Sequence, residues 1–297
     1  MTATTAAVEV VPRRRRIGRR APALGVSGWL ALAVIALVVV MALFAPLVAP
    51  HDPDTGNLLT PYAGPSGAHW LGTDATGRDI ASRLIYGART SLLGPAAIVL
   101  LSLLIGVPLA LVSAWRGGLV AFVITRALDV LFAIPGMLIA ILAAAVFGAG
   151  LRAAVLALAV AYLPYTARVI VSAAERERRQ EYVRALTVQG ASAVSISVRH
   201  VLRNIAPLIA SQSTVAFAYA LIDLASLSFL GLAVQPPQAD WGVLASDRDA
   251  VLQGHSMQVV AASVLVVATV LALFVVGARL AGERPSVRGF LRRGTGR

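Results

Sequence analysis

Six apolar runs dominate the sequence, and each approaches the length of about 20 residues that an α-helix needs to cross roughly 30 Å of hydrocarbon. Such runs cross lipid only as helices, because the bilayer core holds no water to satisfy an open backbone. The 297-residue chain is 58% hydrophobic and 13% charged, against about 25% charged in ordinary soluble domains. The sequence therefore predicts an all-α integral membrane protein with six transmembrane helices. The predicted spans are 28–50, 92–115, 119–147, 151–172, 206–232 and 257–280.

The basic residues are all arginine, and their distribution indicates how the spans are oriented. With a cytoplasmic N-terminus, 21 of the 26 arginines lie on the inner face, as the positive-inside rule requires. The net charge of +12 is then explained by topology and not by nucleic acid. We expect cytoplasmic basic tails at 1–27 and 281–297, a six-span domain over 28–280, outer loops at 51–91 and 233–256, and an inner loop at 173–205.

The residue types that are missing exclude several kinds of chemistry. A chain without lysine has no GxxxxGK[ST] phosphate loop. A chain without cysteine has no disulfide and no thiolate metal site. The four histidines are isolated in the sequence, so no metal site is predicted. A secondary transporter or channel, which needs its own groups near the membrane midplane, and a membrane enzyme remain the competing classes.

The inner loop carries the strongest local signals. A charged run over 175–182 precedes a helix that is expected to end at Gly190 with a positive φ. Ser192 is suited to cap a second short helix. In it, one apolar stripe is predicted from the spacing of Val194, Val198, Val201 and Leu202. Two such helices are typical of a docking element for a soluble partner, or of a segment that lies on anionic headgroups.

The motifs of this loop resemble the cytoplasmic EAA-type signature of permease subunits from ATP-binding-cassette (ABC) importers. They are Glu181-Tyr182-Val183-x-Ala185, Gly190-Ala191-Ser192 and Arg199-His200-Val201-Leu202-x-Asn204. Other motifs, over roughly residues 70 to 245, are similar to those of C-type permeases from the dipeptide, oligopeptide and nickel group. They are Leu71-Gly72-Thr73-Asp74, Gly77-Arg78-Asp79, Asp129-Val-Leu-Phe-Ala-Ile-Pro135 and Leu227-Ser228-Phe229-Leu230-Gly231-Leu232. Where the wider family has Glu-Ala-Ala, this chain has Arg184-Ala185-Leu186, and Leu224 replaces a usual glutamate.

The resemblance implies a type I ABC-importer permease fold and a transport function for this chain. Such a subunit pairs with a second permease subunit to line a path for peptides or similar small solutes, with nickel-type cargo as an alternative. Two ATP-binding subunits drive it, and an extracytoplasmic binding protein delivers the substrate. ATP and Mg²⁺ then belong to the partner subunits, so this chain is expected to have no cofactor and no enzyme activity. Its implied location is the bacterial inner membrane, with both termini cytoplasmic.

The resemblance also assigns candidate site residues. Coupling to the ATP-binding subunit is expected from Glu181, Tyr182, Ala185, Gly190, Ser192, Val194, Val198, His200 and Asn204. A structural hydrogen bond is predicted for His200, which has no second ligand nearby. Asp223 and Ser228 are candidates for the translocation path or a permease–permease contact, since charge at membrane depth faces protein or water. An ordinary packed, hydrogen-bonded acid remains the alternative for Asp223.

Three further local features carry structural expectations. Arg126 and Asp129 lie three residues apart on one helical face and are predicted to pair. A helix over 77–92 is predicted to lie at the membrane interface before span two, with an irregular loop as the alternative. Three prolines inside apolar runs are expected to kink or interrupt their helices. They are Pro108, Pro135 and Pro164.

Overall fold

The computed structural model describes residues 25–282, and α-helices make up most of this range. The helices are α1 Gly25–Leu43, α2 Ala45–Val48, α3 Ile80–Arg116, α4 Gly118–Ala133, α5 Gly136–Phe147, α6 Leu151–Arg178, α7 Glu181–Val188, α8 Ala193–Ile196, α9 Leu202–Phe229, α10 Trp241–Ala245, α11 Arg248–Leu252 and α12 Met257–Leu280. A π-helical turn, Ser197–Val201, joins α8 to α9. The basic tails predicted at 1–27 and 281–297 fall almost entirely outside the described residues.

Five helical stretches are long and apolar enough to cross a membrane, and a bent pair of helices brings the number to six. The all-α membrane fold is therefore confirmed. The pair consists of α4 and α5, which meet at 79° where one continuous span over 119–147 was expected. Ile134 is extended (φ −92°, ψ 123°) ahead of Pro135, because a proline disfavours the helical conformation of the residue before it and lacks the amide hydrogen that continues a helix. Of the three prolines, only Pro135 interrupts its helix, while α3 and α6 continue through Pro108 and Pro164.

The helices on either side of the inner loop are longer than predicted. The last charged turns before the loop belong to α6, which runs 28 residues to Arg178. The second short helix is not separate, since one helical stretch of 37 residues covers Ala193–Phe229 and includes span five. Likewise, the interfacial helix expected over 77–92 is the first part of α3, which begins at Ile80 and is capped by the Asp79 carboxylate. The buried residues of this part lie within the protein and not at a lipid surface.

Two polar regions lie at opposite ends of α3. Its 37 residues correspond to a length of about 55 Å. The loop cap, defined as residues 49–79 and 230–256, packs around the first turns of α3, where Trp241 Nε1 donates to Leu84 O at 2.9 Å. The basic segment, defined as residues 173–205, packs around the last turns, where Arg178 donates to Ala114 O. Arg279 Nη2 donates to Ser27 Oγ at 2.9 Å, so the start of α1 and the end of α12 lie side by side.

Alanine makes up half of the buried residues in the core between α3, α6 and α9, and such small residues allow helices to approach closely. Leu224 is 1% exposed in this core. A Cβ atom added at Gly94 would lie 2.2 Å from Leu224 Cδ2, so the glycine makes room for the leucine.

The loop cap holds three acidic residues in its interior, Asp74, Asp79 and Asp240. Asp74 Oδ1 accepts hydrogen bonds from the amides of Thr76 and Arg78, and Asp74 Oδ2 lies 2.8 Å from Arg78 Nε and 3.3 Å from Arg83 Nη1. Burial raises the pKa of Asp74, but the hydrogen bonds from Arg78 and Thr76, with the Arg78 charge, outweigh it and hold this pKa below its ordinary value. Arg83 also donates to Pro237 O and so joins the two loops.

Asp240 joins the second loop to α3. Its carboxylate accepts from Ser91 Oγ at 2.8 Å and from the amide of Gly242 at 2.9 Å. Burial raises the pKa of Asp240 above its ordinary value, against the lowering effect of these hydrogen bonds and of one to Ser228. The Trp241 indole beside it is fully buried and donates to the backbone of α3. The cap is therefore a packed part of the subunit with its own polar core.

Candidate functional site

The basic segment is anchored to the membrane helices by an apolar core. Val183 of α7, Ile196 of α8 and Val201 of the π turn are 3%, 1% and 0% exposed. They pack with small residues near the end of α3, including Ala110 and Ala114. The segment is therefore held in place in this subunit by one side of each short helix.

Three polar side chains tie the elements of this segment together. Tyr182 Oη donates to Glu177 Oε1 at 2.9 Å, and Asn204 Nδ2 donates to Glu177 Oε1 at 2.8 Å and to Tyr182 Oη at 3.1 Å. Burial and the hydrogen bond to Glu177 raise the pKa of Tyr182 above its ordinary value. The structure thus joins two candidate residues, Tyr182 and Asn204, through Glu177. Sequence patterns did not single out Glu177, because it stands within a run of many charged residues.

The turn between the two short helices has the predicted geometry. Gly190 has φ +81°, a conformation that side chains with a Cβ rarely adopt, and the amide of Ala191 donates to Leu186 O at 3.0 Å. Ser192 Oγ accepts from the amide of Ser195 at 3.2 Å, which is the expected helix cap. Both local predictions are confirmed.

The predicted apolar stripe is split by the π turn. Val194 and Val198 are 73% and 53% exposed, whereas Val201 is fully buried and Leu202 is partly buried. A π turn contains one residue more than an α turn, and this rotates every later side chain around the helix axis. A single helical period applied to the whole segment cannot reveal that rotation. The prediction that these four residues form one stripe is therefore wrong.

An exposed valine face remains, defined as Val188, Val194 and Val198. Val188, at the end of α7, is 89% exposed and was not among the predicted site residues. Val194 and Val198 also line a groove of about 560 Å³ beside Trp115 at the end of α3. Exposed apolar side chains on an anchored polar segment are typical of an interaction site.

Other predicted coupling residues of the basic segment are exposed as well. Glu181, in the first turn of α7, and Ala185 are exposed, as is Arg184 between them. His200 is exposed too, with its ring centroid 6.4 Å from that of Tyr182. The structural hydrogen bond predicted for His200 is absent among residues 25–282.

Polar side chains also follow the facing surfaces of α6 and α9 at membrane depth. Tyr162 Oη donates to Asp223 Oδ2 at 2.8 Å, and Tyr165 Oη donates to Gln212 Oε1 at 2.7 Å. Asp223 is partly exposed, so it is hydrogen-bonded and at the same time accessible from one side. Ser228, in contrast, is 2% exposed and accepts from the amide of Val234, which places it inside this subunit.

The charge pair predicted in span three is present, with an additional partner. Arg126 Nη1 lies 3.2 Å from Asp129 Oδ2, and Arg168 of α6 donates to Asp129 Oδ1. Arg168 also lies over the ring of Phe132 at 4.5 Å. The interaction across helices ties α4 to α6, which spacing within one helix could not predict.

The histidines of the loop cap are not isolated, contrary to the sequence prediction. His51 and His69 have ring centroids 4.8 Å apart, and both Nδ1 atoms face the Asp79 carboxylate. His255 stacks on Tyr62 at 4.3 Å. Folding of the loop brings together residues that no helical or strand period relates.

Comparison with known proteins places these features in a family. Residues 106–282 match the binding-protein-dependent transport system inner membrane component family, and residues 27–65 match the N-terminal TM domain of oligopeptide transport permease C. The chain is 42% identical over 221 residues to the di/tripeptide transport system permease protein DppC of Pseudomonas aeruginosa, which covers 72% of this chain and 73% of that protein. It is 36% identical over 253 residues to the dipeptide permease DppC of Haemophilus influenzae, covering 83% and 85% of the two chains.

Two further similarities agree with this assignment. The oligopeptide transport permease OppC of Bacillus subtilis is 37% identical over 216 residues, covering 73% of this chain and 71% of that protein. A chain of the MetNI methionine ABC transporter, solved in inward-facing conformations, shares the fold with a TM-score of 0.55 at 18% identity, over 67% of this chain and 95% of that one. Together with the helical membrane fold, these matches show that the chain belongs to the binding-protein-dependent transport permeases, within their dipeptide and oligopeptide C-type group.

Proposed function

We propose that this subunit pairs with a second permease subunit to form an ATP-driven path for peptides across the bacterial inner membrane. The relatives' names include dipeptide, di/tripeptide and oligopeptide permeases, which supports peptides over nickel-type cargo. The observation that carries the proposal is the exposed valine face on an otherwise anchored basic segment. Within the described residues, this chain offers a surface for an ATP-binding subunit.

The anchoring supports docking over passive contact with headgroups. One side of α7 and α8 packs on the membrane helices through Val183 and Ile196, and the opposite side presents Val188 and Val194. A rigid, two-sided element transmits force between a partner and the membrane helices. The Glu177 hydrogen-bond cluster adds rigidity because it joins the ends of α6, α7 and α9. The coupling role therefore belongs to the whole predicted set from Glu181 to Asn204.

The polar line on α6 and α9 is the proposed contribution to the translocation path. Charged and hydrogen-bonding groups at membrane depth face protein or water, because lipid leaves them unsatisfied. Asp223 keeps one carboxylate oxygen free of Tyr162, and Gln212 lies further along the same helix. In the paired transporter this surface faces the second permease or the path. Ser228 is left out because its hydroxyl is used inside the subunit.

The proposed orientation has both termini and the basic segment in the cytoplasm and the loop cap outside. The arginine distribution supports it. Cysteines introduced singly at Ser66 and Gln180 test it in this cysteine-free chain. In intact cells a membrane-impermeant thiol reagent is expected to label Ser66→Cys only, and labelling at Gln180→Cys would reverse the orientation.

Purification in mild detergent tests the assembly. We expect two ATP-binding subunits, a second permease and a substrate-binding protein to copurify with the chain. ATP and Mg²⁺ are proposed to bind those partners, so the isolated chain is expected to hydrolyse no ATP. ATP turnover that persists after every other protein is removed would contradict the proposal.

A further inference from the structure

Three potential metal ligands meet at the start of α3, within the loop cap. They are His51, which follows α2, His69 from the middle of the first loop, and Asp79, the cap residue of α3. Their ligand atoms all lie within 4.8 Å of one another. His69 Nδ1 lies 3.0 Å from Asp79 Oδ1, and His51 Nδ1 lies 3.9 Å from Asp79 Oδ2. The three residues come from separate parts of the loop, so only the tertiary structure assembles them.

Backbone and side-chain hydrogen bonds hold these ligands in position. The amide and hydroxyl of Ser82 donate to Asp79 Oδ2 at 2.8 and 2.7 Å, and the same hydroxyl accepts from the amide of His51 at 2.9 Å. The amide of His69 donates to Ser66 Oγ at 3.0 Å. Metal sites commonly rely on such surrounding hydrogen bonds to orient their ligands. Ser82 therefore fixes the carboxylate and one histidine at the same time.

The exposure of the three side chains fits an open site. Asp79 is 1% exposed, whereas the side chains of His69 and His51 are 27% and 43% exposed. The carboxylate of Asp79 is thus buried, and the two imidazoles border the solvent. A fourth coordination position on the ion would be open to water. Among residues 25–282, these three side chains form the group that is close enough together to hold one metal ion.

We propose that His51, His69 and Asp79 bind one divalent transition-metal ion of the Zn²⁺ type. Two imidazole nitrogens and a carboxylate oxygen suit such an ion better than Mg²⁺ or Ca²⁺, which prefer all-oxygen sites. Tetrahedral zinc ligands at about 2.0–2.2 Å from the metal lie about 3.3–3.6 Å from one another. The two histidine–carboxylate separations of 3.0 and 3.9 Å bracket that range, and all three ligand atoms lie within 4.8 Å of one another, so side-chain rotations that bring the two imidazoles together are needed to complete the geometry.

Metal binding at this site replaces the hydrogen bond between His69 and Asp79 with bonds from both residues to the ion. A carboxylate only accepts hydrogen bonds, so His69 carries its proton on Nδ1 when it faces Asp79. On metal binding, this proton moves to Nε2 and the metal takes its place between the ring and the carboxylate. The ion then connects three parts of the chain: the residues just after α2, the middle of the first loop and the start of α3. The proposed ion stays bound and cross-links the loop cap. It is separate from any transported solute.

Zinc titration of the full-length chain tests the site. The chain is purified with a tag that contains no histidine, treated with EDTA, and titrated with ZnCl₂ by calorimetry in detergent. We expect one high-affinity site per chain, a Zn²⁺-dependent rise in the unfolding temperature, and no such response to Mg²⁺. Absence of a saturable site, or equal responses to Zn²⁺ and Mg²⁺, would overturn the proposal.

Histidine variants locate the binding. His51→Ala and His69→Ala are each expected to weaken zinc binding at least tenfold. His255→Ala and His200→Ala, which replace the remaining two histidines of the chain, are expected to leave it unchanged. His69→Gln keeps a donor for Asp79 but supplies no imidazole, so it separates ligation from a structural hydrogen bond. Zinc affinity that His69→Gln or all four alanine variants leave unchanged would show that the cluster is an ordinary hydrogen-bonded group.

Discussion

The loop cap and the basic segment differ in where they place their charged residues. The cap buries three of its acids, Asp74, Asp79 and Asp240, and Arg83 of α3 is buried beside Asp74; all four are 5% exposed or less. The basic segment leaves its charged residues in solvent and exposes Val188 and two further valines. The buried acids of the cap accept their hydrogen bonds from groups of this same chain. Both regions also expose large apolar side chains, among them Leu59 and Leu252 of the cap and Val188 of the basic segment. The placement of charged residues is therefore what distinguishes the two regions.

Removal of a buried charge from the cap should give the largest effect. Asp74→Ala leaves the guanidinium of Arg83 buried and without its carboxylate, which should lower the free energy of unfolding by about 3–5 kcal/mol. Asp54→Ala, which removes an exposed acid from the same loop, is the control and should change it by less than about 0.5 kcal/mol. Thermal unfolding in detergent measures both. Equal effects would mean that the cap does not depend on its buried ion pairs.

Two valines of the basic segment should give opposite results. Val201→Ala removes a fully buried side chain and should destabilise the fold by about 2–3 kcal/mol. Val194→Ala removes a side chain that is 73% exposed and should leave stability within about 0.5 kcal/mol. The second variant should instead weaken copurification of the ATP-binding subunit. If Val194→Ala destabilises the isolated chain and leaves copurification intact, the exposed valine face has no docking role.

The turn at Gly190 tests whether the geometry of the segment matters to the partner. Gly190→Pro forces φ to about −65° where the structure has +81°. The valine face should then be displaced, and affinity for the ATP-binding subunit should fall at least tenfold, or about 1.4 kcal/mol. Gly254→Pro in the loop cap is the matched control, because Gly254 also has a positive φ with open space around it. Quantitative pull-down should show the loss for the first variant only.

The cap should also show a characteristic pH dependence. Burial raises the pKa of Asp74, but hydrogen bonds and the Arg78 charge outweigh it, so ionised Asp74 stabilises the fold at pH values above its ordinary pKa of 3.8. This stabilisation should be lost as the pH falls through the lower pKa of the folded state. The difference in unfolding temperature between the wild type and Asp74→Asn should therefore be constant from about pH 7 to 5 and shrink below about pH 4. A constant difference down to pH 3 would contradict this.

Arg184 should give the smallest effect, because it is an exposed charge on the basic segment. Arg184→Glu restores the acid that the wider family has at this position and should leave assembly intact or improve it. If a partner acid already pairs with Arg184, reversal should weaken assembly by about 0–1 kcal/mol for an exposed pair. Pull-down of the ATP-binding subunit at low and moderate salt separates these outcomes. The docking role of the segment would fail if neither Arg184→Glu nor Gly190→Pro changed the pull-down.

The apolar runs determined the membrane fold, since a helix in lipid satisfies its own backbone and needs no information from distant residues. The turn at Gly190 and the cap at Ser192 were predictable for the same reason. Each depends on the conformational limits of one or two neighbouring residues. The proline pattern marked Pro108, Pro135 and Pro164 alike, and only at Pro135 does the helix break. The order of short motifs was also enough to indicate the family, which the comparisons then established.

Only the tertiary structure decided which side chains meet. Val201 left the predicted stripe because a π turn rotated the helix, and Glu177 joined Tyr182 and Asn204 because three helix ends converge. His51 and His69 seemed unrelated because they are 18 positions apart along the chain. Folding of the loop around Asp79 brought their rings to 4.8 Å. Periodicity describes one element at a time, whereas contacts between elements depend on how the helices and loops pack in three dimensions.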